Sequence, residues 1–598
     1  MPDVNWENIT SNSPMGSDFC DLINSHFLTQ MVHEPTRISH NSHSILDLVL
    51  CNYPDEIADI RVDNEFTSDH LAVSFELLTK VKRLRKIRRT VYNLKNADLL
   101  GLKSALTRIP WDTAIVDEDV DSSIACWYGM FTTCIDEFVP KIIIKDGNRP
   151  PWIDREVLQL IRKKPRIRRK AKSNDSPIIW ERFRKLRHEV KKLLKFKKRN
   201  YLSSLSNSLR DNPRRFWSYH KAITKSNKIP DVIRHGSIEA RNLIDKANLF
   251  NVFFHSVFSA SDIPNALPVT NLGYNSAEEI SMLRISIDSV ERQLKSLNIT
   301  KASLGVPSKL LHACAEEIAP SLSKLFNMSL ELGSFPGKWK DANIVPIHKT
   351  MSKAIVPNYR GISLLDVLSK LLERQVYDGV FNIISPHFSQ WQHGFLPGKS
   401  IVLQLSQVVH QFVKALEKRQ QVDVIYLDFS KAFDKVSHCK LLFKSECLGI
   451  RGSLLGWFRS YLTNRRQRVV INNISSDFLP VTSGVPQGSI LGPLLFLIFI
   501  NDMPNVISKD TSLPLFADDS KCFRLILGQK DGDELHDDLN KLLTWSYTWG
   551  MGFNTSKCKV LRVARIKSVS ERDYHLGGIK LERVVVEKDL GVLIRQDS

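Results

Sequence analysis

The sequence predicts an α+β protein built from more than one folded unit, and three observations carry that expectation. Its 598 residues are too many for one compact domain. Two β-prone runs, at residues 422–427 and 513–526, lead into or flank carboxylates in the way that strand ends do. A basic stretch between residues 162 and 199 repeats its apolar residues at helical spacing.

Charge narrows the partners. Lys and Arg number 84 against 64 Asp and Glu, a net charge of +20, and the sequence pI is near 9.4. Such an excess favours a polyanion, either nucleic acid or an acidic membrane surface. The most apolar stretch, residues 490–500 (ILGPLLFLIFI), is too short to span a bilayer and contains Gly492 and Pro493. No membrane partner is therefore expected. The opening residues, MPDVNWENIT, lack the basic and apolar parts of a secretory signal, so the expected location is intracellular. Nine cysteines without a C-x-x-C pair argue against a disulfide framework and against a zinc site of the usual spacing.

Taken in order, residues 1–79 read as β-rich, with strand-length runs at 44–51 (SILDLVLC) and 71–78 (LAVSFELL). Lys82, Arg83, Arg85, Lys86, Arg88 and Arg89 then form a first basic cluster. In the second, 162–199, Trp180, Phe183, Leu186, Val190, Leu193 and Leu194 recur every three or four residues. A charge run is commonly a solvated helix face, but acids are too few here to neutralise this one, so a phosphate-contacting linker is expected. From about residue 240 onward, apolar periodicity with turn signals suits an α+β enzyme domain.

Chemistry concentrates in three places. In VDVIYLDFSKAFDKV (422–436), Asp428 stands at the end of a buried strand, where an Asp also serves as a helix N-cap. In LPLFADDSKCFRLI (513–526), a hairpin presents Asp518 and Asp519 at its tip, although paired acids in turns are often structural. Between them, SGVPQGSILG (483–492) is a Gly-rich turn that lets backbone approach a ligand closely. Carboxylates on two rigid strands are what hard divalent cations need for phosphoryl transfer.

The order DFSKAFDKV, SGVPQGSILGPLLFLIFINDMP and FADD resembles motifs A, B and C of non-LTR retrotransposon (LINE-type) reverse transcriptases, closest to the jockey-like group. Upstream, WKDANIVPIHK (339–349), NYRGISLL (358–365) and QHGFLPGKS (392–400) resemble fingers and palm motifs, and NTSKC (554–558) and EKDLGV (587–592) resemble motifs D and E. The resemblance implies a right-hand polymerase fold and an RNA-directed DNA polymerase. Its partners would be an RNA template, a DNA primer or target, deoxynucleoside triphosphates and two Mg2+ ions. It assigns metal binding to Asp428 and Asp518 with Asp519 in support, and triphosphate binding to Lys349 and Arg360. Phe433 would screen the sugar, Gln487 and Gly488 would pack near template and nucleotide, and Lys557 would donate a proton to the leaving group. Nucleus and cytoplasm are the implied locations.

Residues 1–79 resemble the C-terminal part of an apurinic-type endonuclease, an α/β sandwich, with Ser68, Asp69 and His70 as its closing motif and Asp47 orienting His70. The family's G-D-F-N segment falls ahead of PDVNW, so an incomplete nuclease is expected, and a truncated thumb at the other end. Gly361 replaces the proline of NYRPIS, which should loosen that turn, and KASLGVP (301–307) is shorter than the family's pattern. The expected organisation is an endonuclease remnant at 1–79, a basic and largely helical linker at 80–285 and a reverse transcriptase domain at 286–598. The alternatives are a catalytically inactive nucleic-acid-binding relic and a domesticated interaction scaffold. Host, target site and oligomeric state leave no mark in the residues.

Overall fold

The computed structural model describes the chain apart from residues 1–3, 7–8, 27, 40–41, 64–69, 79–87, 116–118, 146–149, 175, 225–228, 260–278, 300–304, 566–570 and 597–598. Ser68, Asp69, most of the first basic cluster and residues 301–304 of KASLGVP lie outside the described residues. The chain divides into two compact units, Met1–Arg88 and Arg89–Ser598.

In the first unit, helix α1 (Pro14–Ser25) is capped by Ser13, whose hydroxyl accepts from the Gly16 amide. Strands β1 (Ile57–Asp63) and β2 (Ala72–Leu77) pair antiparallel, as expected for LAVSFELL. The run 44–51 is not one strand. Ser42–Ser44 pairs with Arg37–Ser39 and Leu50–Cys51 with Thr29–Gln30, with a gap between. The cause is local: the buried Thr36 hydroxyl takes the Leu46 and Asp47 amides, both at 2.9 Å, so they are not offered to a sheet ladder.

The second unit begins with helices α2 (Leu99–Arg108), α3 (Val120–Phe138), α4 (Arg155–Asn174), α5 (Pro177–Asn207), α6 (Pro213–Thr224) and α7 (Leu243–Ser256). The span 80–285 is more than a connector. Leu102, Leu106, Trp127, Phe131 and Ile135 of α2 and α3 belong to the main core, and α7 supplies Phe250 and Phe253 to a second core. A hydrogen bond from Trp127 Nε1 to Ser321 Oγ (2.9 Å) ties α3 to the main core. The basic cluster forms two helices, α4 and α5, that pack on each other and break before Pro177. Leu186 and Val190 are buried while the cationic positions around them stay exposed.

Two sheets follow. In one, strands β3 (Asp341–His348) and β4 (Tyr359–Leu364) form an antiparallel pair extended by β6 (Arg465–Ile471). The other runs β7 (Leu515–Phe516), β8 (Asp519–Ile526), β5 (Gln421–Leu427), β9 (Lys559–Val563), β10 (Glu582–Val584). Its central strand β5 alternates its apolar residues between two cores: Ile425 and Leu427 enter the main one, Val422 and Val424 the one capped by helix α8 (Ile401–Glu417). Inside β5, buried Asp423 is satisfied by Arg562 Nε at 3.0 Å and Tyr574 Oη at 2.8 Å. Helix α9 (Leu491–Ile500) is apolar all round and therefore buried nearly throughout. Among the described residues no helix is long and apolar enough to cross a membrane.

Candidate active site

Asp428 is the first residue beyond β5, and Asp518 lies at the tip of the β7–β8 hairpin, whose register pairs Phe516 with Asp519. Because β8 lies directly against β5, with Leu427 opposite Ser520, the hairpin tip and the end of β5 fall side by side. Both Asp428 and Asp518 line one cavity of about 320 Å³. The hairpin turns tightly because Ala517 adopts a left-handed backbone, φ 56°, a conformation that costs a non-glycine residue about 1 kcal/mol. A neighbouring segment holds that turn: Gln392, 2% exposed, accepts the amides of Gly394 at 2.7 Å and Ala517 at 3.0 Å. Gly394 itself leaves no room for a side chain, since a Cβ there would lie 2.3 Å from the Ala517 nitrogen.

Loss of water is the main cause of a raised pKa at both tip acids. Asp518 is pushed up by burial, with the Asp428 charge adding to it. Asp519 is pushed up to about 6 by burial and by the charges of Asp518 and Asp428. Lys557 Nζ lies 3.0 Å from Asp428 Oδ2, and the Asn554 amide donates to the Asp428 carbonyl at 2.7 Å, so the 554–558 segment is pinned against the end of β5.

Across the cavity stand Lys349, one residue beyond β3, and Arg360 on β4. Burial, together with the positive charges of Arg360, Lys431 and Lys557, lowers the Lys349 pKa. Phe433 stacks on Phe496 of α9 (4.4 Å, 13°) and meets Phe395 edge-on. Gln487 Nε2 donates to Asp434 Oδ1 at 3.1 Å, and the Gln487 carbonyl accepts from the Ser363 amide of β4. Gly484 and Gly488 explain why the loop is glycine-rich. Both have positive φ (86° and 115°), and a Cβ would meet the Phe433 carbonyl at 2.7 Å or the Ser363 carbonyl at 2.6 Å. Beneath the loop, fully buried Glu373 accepts the Ile490 amide at 2.8 Å, anchoring the start of α9.

Gly361 does not loosen a turn. It sits within β4 opposite Pro346, where a Cβ would lie 2.8 Å from Ile344 Cγ2 and 3.3 Å from the Phe254 ring. Glycine there makes room for α7. The 587–592 segment forms the hairpin of β11 (Val586–Asp589) and β12 (Val592–Arg595), and buried Lys521 pairs with its Asp589.

In the first unit, His70 Nδ1 lies 2.7 Å from Asp47 Oδ2. Thr36 organises both: its hydroxyl holds the Asp47 amide, and its carbonyl accepts from Leu71, next to His70. Sequence reasoning missed Thr36, Gln392, Glu373 and Lys431. Gln392 carried a signal in its place at the head of QHGF, and Lys431 in its place within DFSKAFDKV.

Sequence comparison finds known families in two parts of the chain. Residues 347–580 match the family described as Reverse transcriptase (RNA-dependent DNA polymerase), and residues 1–74 match that described as Endonuclease-reverse transcriptase. The chain thus carries a reverse transcriptase domain behind an endonuclease-related segment. It is 25% identical over 555 residues to the RNA-directed DNA polymerase from mobile element jockey of Drosophila melanogaster, covering 88% of this chain and 60% of that protein. It is 26% identical over 626 residues to the probable RNA-directed DNA polymerase from transposon BS of the same fly, covering 98% and 67%. Its homologues are the RNA-directed DNA polymerases of jockey-like non-LTR retrotransposons. The chain spans about 60% of the length of the first of these relatives.

Proposed function

We propose that the second unit extends a DNA 3′-hydroxyl on an RNA template, consuming deoxynucleoside triphosphates. The carrying observation is that Asp428 and Asp518, at the ends of neighbouring strands, line one cavity with Lys349, Arg360 and Lys557. In the reaction the 3′-oxygen bonds to the α-phosphorus, the bond to the β-phosphate oxygen breaks, and pyrophosphate leaves. Lys349 and Arg360 would hold the triphosphate, and Phe433, fixed by its stack on Phe496, would stand under the sugar. Gln487, tied to Asp434 and to β4, would border the base, with the exposed Gly488 backbone beside it. Lys557 would give up a proton to the leaving pyrophosphate.

Among the described residues no group of three or more His, Cys, Asp or Glu forms a protein-only metal cage. Magnesium does not need one, because it uses one or two carboxylates together with waters and substrate phosphates. Asp428 and Asp518 fit that requirement, with Asp519 adjacent, and the carboxylates crowded there, whose charged forms burial and one another's charges disfavour, are what a cation would stabilise. Two Mg2+ ions, when bound there, supply activation of the hydroxyl and stabilisation of the leaving oxygen.

In this reading β3, β4 and the helices against them are fingers, the β5 sheet is the palm, and the exposed cationic faces of α4 and α5 hold template and primer phosphates. The linked pair His70 and Asp47 is an acid-base element of the nuclease segment, with Ser68 and Asp69 preceding it in sequence. Primer extension on an RNA template with and without Mg2+ tests the polymerase reading. Extension that needs the metal and is lost in Asp518→Asn supports it, whereas a folded parent chain that binds template–primer without extending it favours an inactive nucleic-acid-binding relic.

A further inference from the structure

Lys431 has no part in the assignments above, yet its surroundings single it out. It follows Asp428 by three positions and adopts a left-handed backbone, φ 56°, that starts the short turn Ala432–Asp434. Strained backbone of this kind persists where the surrounding structure over-determines it, commonly at functional sites. Its ammonium sits 5.1 Å from the centroid of the Phe253 ring, and among the described residues it lies within ion-pair distance of no carboxylate. It faces the same cavity as Lys349, Arg360 and Lys557.

Phe253 comes from α7, upstream of the matched residues 347–580. The helix is held rigidly. Asn251 Nδ2 donates to the Asp477 carbonyl at 2.8 Å, and beyond the helix end Ser259 exchanges hydrogen bonds with Ser483 and Thr482 at the Gly-rich turn. Phe254 packs against the space left open by Gly361 and also lines the cavity. An aromatic wall from outside the matched domain therefore forms one side of the site and seats one of its cations. Burial lowers the Lys431 pKa, and the neighbouring charges of Arg360 and Lys557 push the same way, against the opposing pull of Asp434. A crowded, partly dehydrated group of positive charges is stabilised by a polyvalent anion.

We infer that Lys431, seated on Phe253, is a further ligand for the triphosphate chain of the incoming nucleotide. The inference rests on the polymerase reading. Phosphate chemistry could also come from the nucleic-acid backbone, so the test separates the two sources.

The experiment measures, on the full chain, equilibrium binding of a deoxynucleoside triphosphate, of the corresponding monophosphate and of a template–primer duplex, together with KM and kcat where extension occurs. Lys431→Met should weaken triphosphate binding roughly tenfold or more, as expected when a charge-assisted hydrogen bond is removed. It should raise KM more than it lowers kcat and leave monophosphate and duplex affinity unchanged. Lys431→Arg should retain most of the triphosphate affinity, and Phe253→Leu should lose part of it. Should Lys431→Met melt early, the comparison of Lys431→Arg with Lys431→Gln decides. Equal triphosphate affinity in the charged and neutral variants overturns the inference, as does a loss confined to duplex binding, which would assign Lys431 to the backbone. A parent chain that binds no triphosphate defeats the polymerase reading and this inference with it.

Discussion

Gln392 Oε1 accepts the backbone amide of Ala517 at 3.0 Å, so a residue far away in sequence holds the left-handed turn that presents Asp518. The same oxygen binds the Gly394 amide, which leaves two buried donors dependent on one side chain. Gln392→Ala should cost about 1–3 kcal/mol of stability through unsatisfied amides. It should also raise the Mg2+ concentration needed for half-maximal extension while leaving KM for nucleotide nearly unchanged. Thermal melting and a magnesium titration check this, and equal magnesium dependence in variant and parent would make Gln392 a purely structural residue.

The acids at the tip give a pH prediction with a definite sign. Asp519, pushed up to about 6, prefers to be protonated in the folded chain. Its contribution favours folding below its ordinary range near pH 4 and is lost as pH rises through about 6. Asp519→Asn should therefore melt above the parent at pH 7 in metal-free buffer and converge with it below about pH 4. Magnesium should narrow the gap at pH 7 by stabilising the parent. A variant that melts lower at pH 7 without metal would reverse the sign and contradict the crowded-carboxylate description.

Gly361 tests the seat of α7. Gly361→Ala places a Cβ 2.8 Å from Ile344 Cγ2 and 3.3 Å from Phe254, an overpacking that costs about 1–3 kcal/mol. Adding Phe254→Leu should recover part of that loss, which a double-mutant cycle on melting data would read as coupling. Strict additivity would show that Phe254 and position 361 do not share the space.

For the basic helices, the structure separates exposed charges from ion-paired ones. Lys197 is engaged by Asp154 at 2.7 Å and Glu156 at 2.8 Å, whereas Lys191, Lys192, Lys195 and Lys198 are exposed. Replacing those four with glutamine should flatten the salt dependence of RNA and DNA binding, by up to about 0.7–0.9 in log–log slope for each phosphate that is no longer neutralised. Lys197→Gln alone should change it little. An unchanged slope in the fourfold variant would leave the cluster as a solvated helix face.

Local signals in the sequence carried the sheet around Asp428 and Asp518 well. The β5 run before Asp428, the hairpin around Ala517 and the glycine-rich turn before α9 each announce themselves in neighbouring residues, through β-prone runs and turn-forming residue types, although Gln392, Phe433 and Ser363 from distant segments fix the two turns in place. Packing between distant segments was not legible. Nothing near residue 361 announces that its missing Cβ is filled by Phe254 from α7, and nothing in 44–51 shows that Thr36 will take the amides of its middle residues. The basic span read as a linker because charge dominates its composition, yet Trp127 and Phe131 within it are fully buried in the main core. Lys431 escaped notice for the same reason, since its partner Phe253 comes from a different part of the chain.

The central claim, that Asp428 and Asp518 together serve nucleotide transfer, is tested most directly by magnesium-dependent primer extension on an RNA template with Asp518→Asn beside the parent chain. Removing one carboxylate charge at constant volume should abolish extension while template–primer affinity and the melting temperature at pH 7 do not fall. Extension by Asp518→Asn at the parent's rate would contradict the claim.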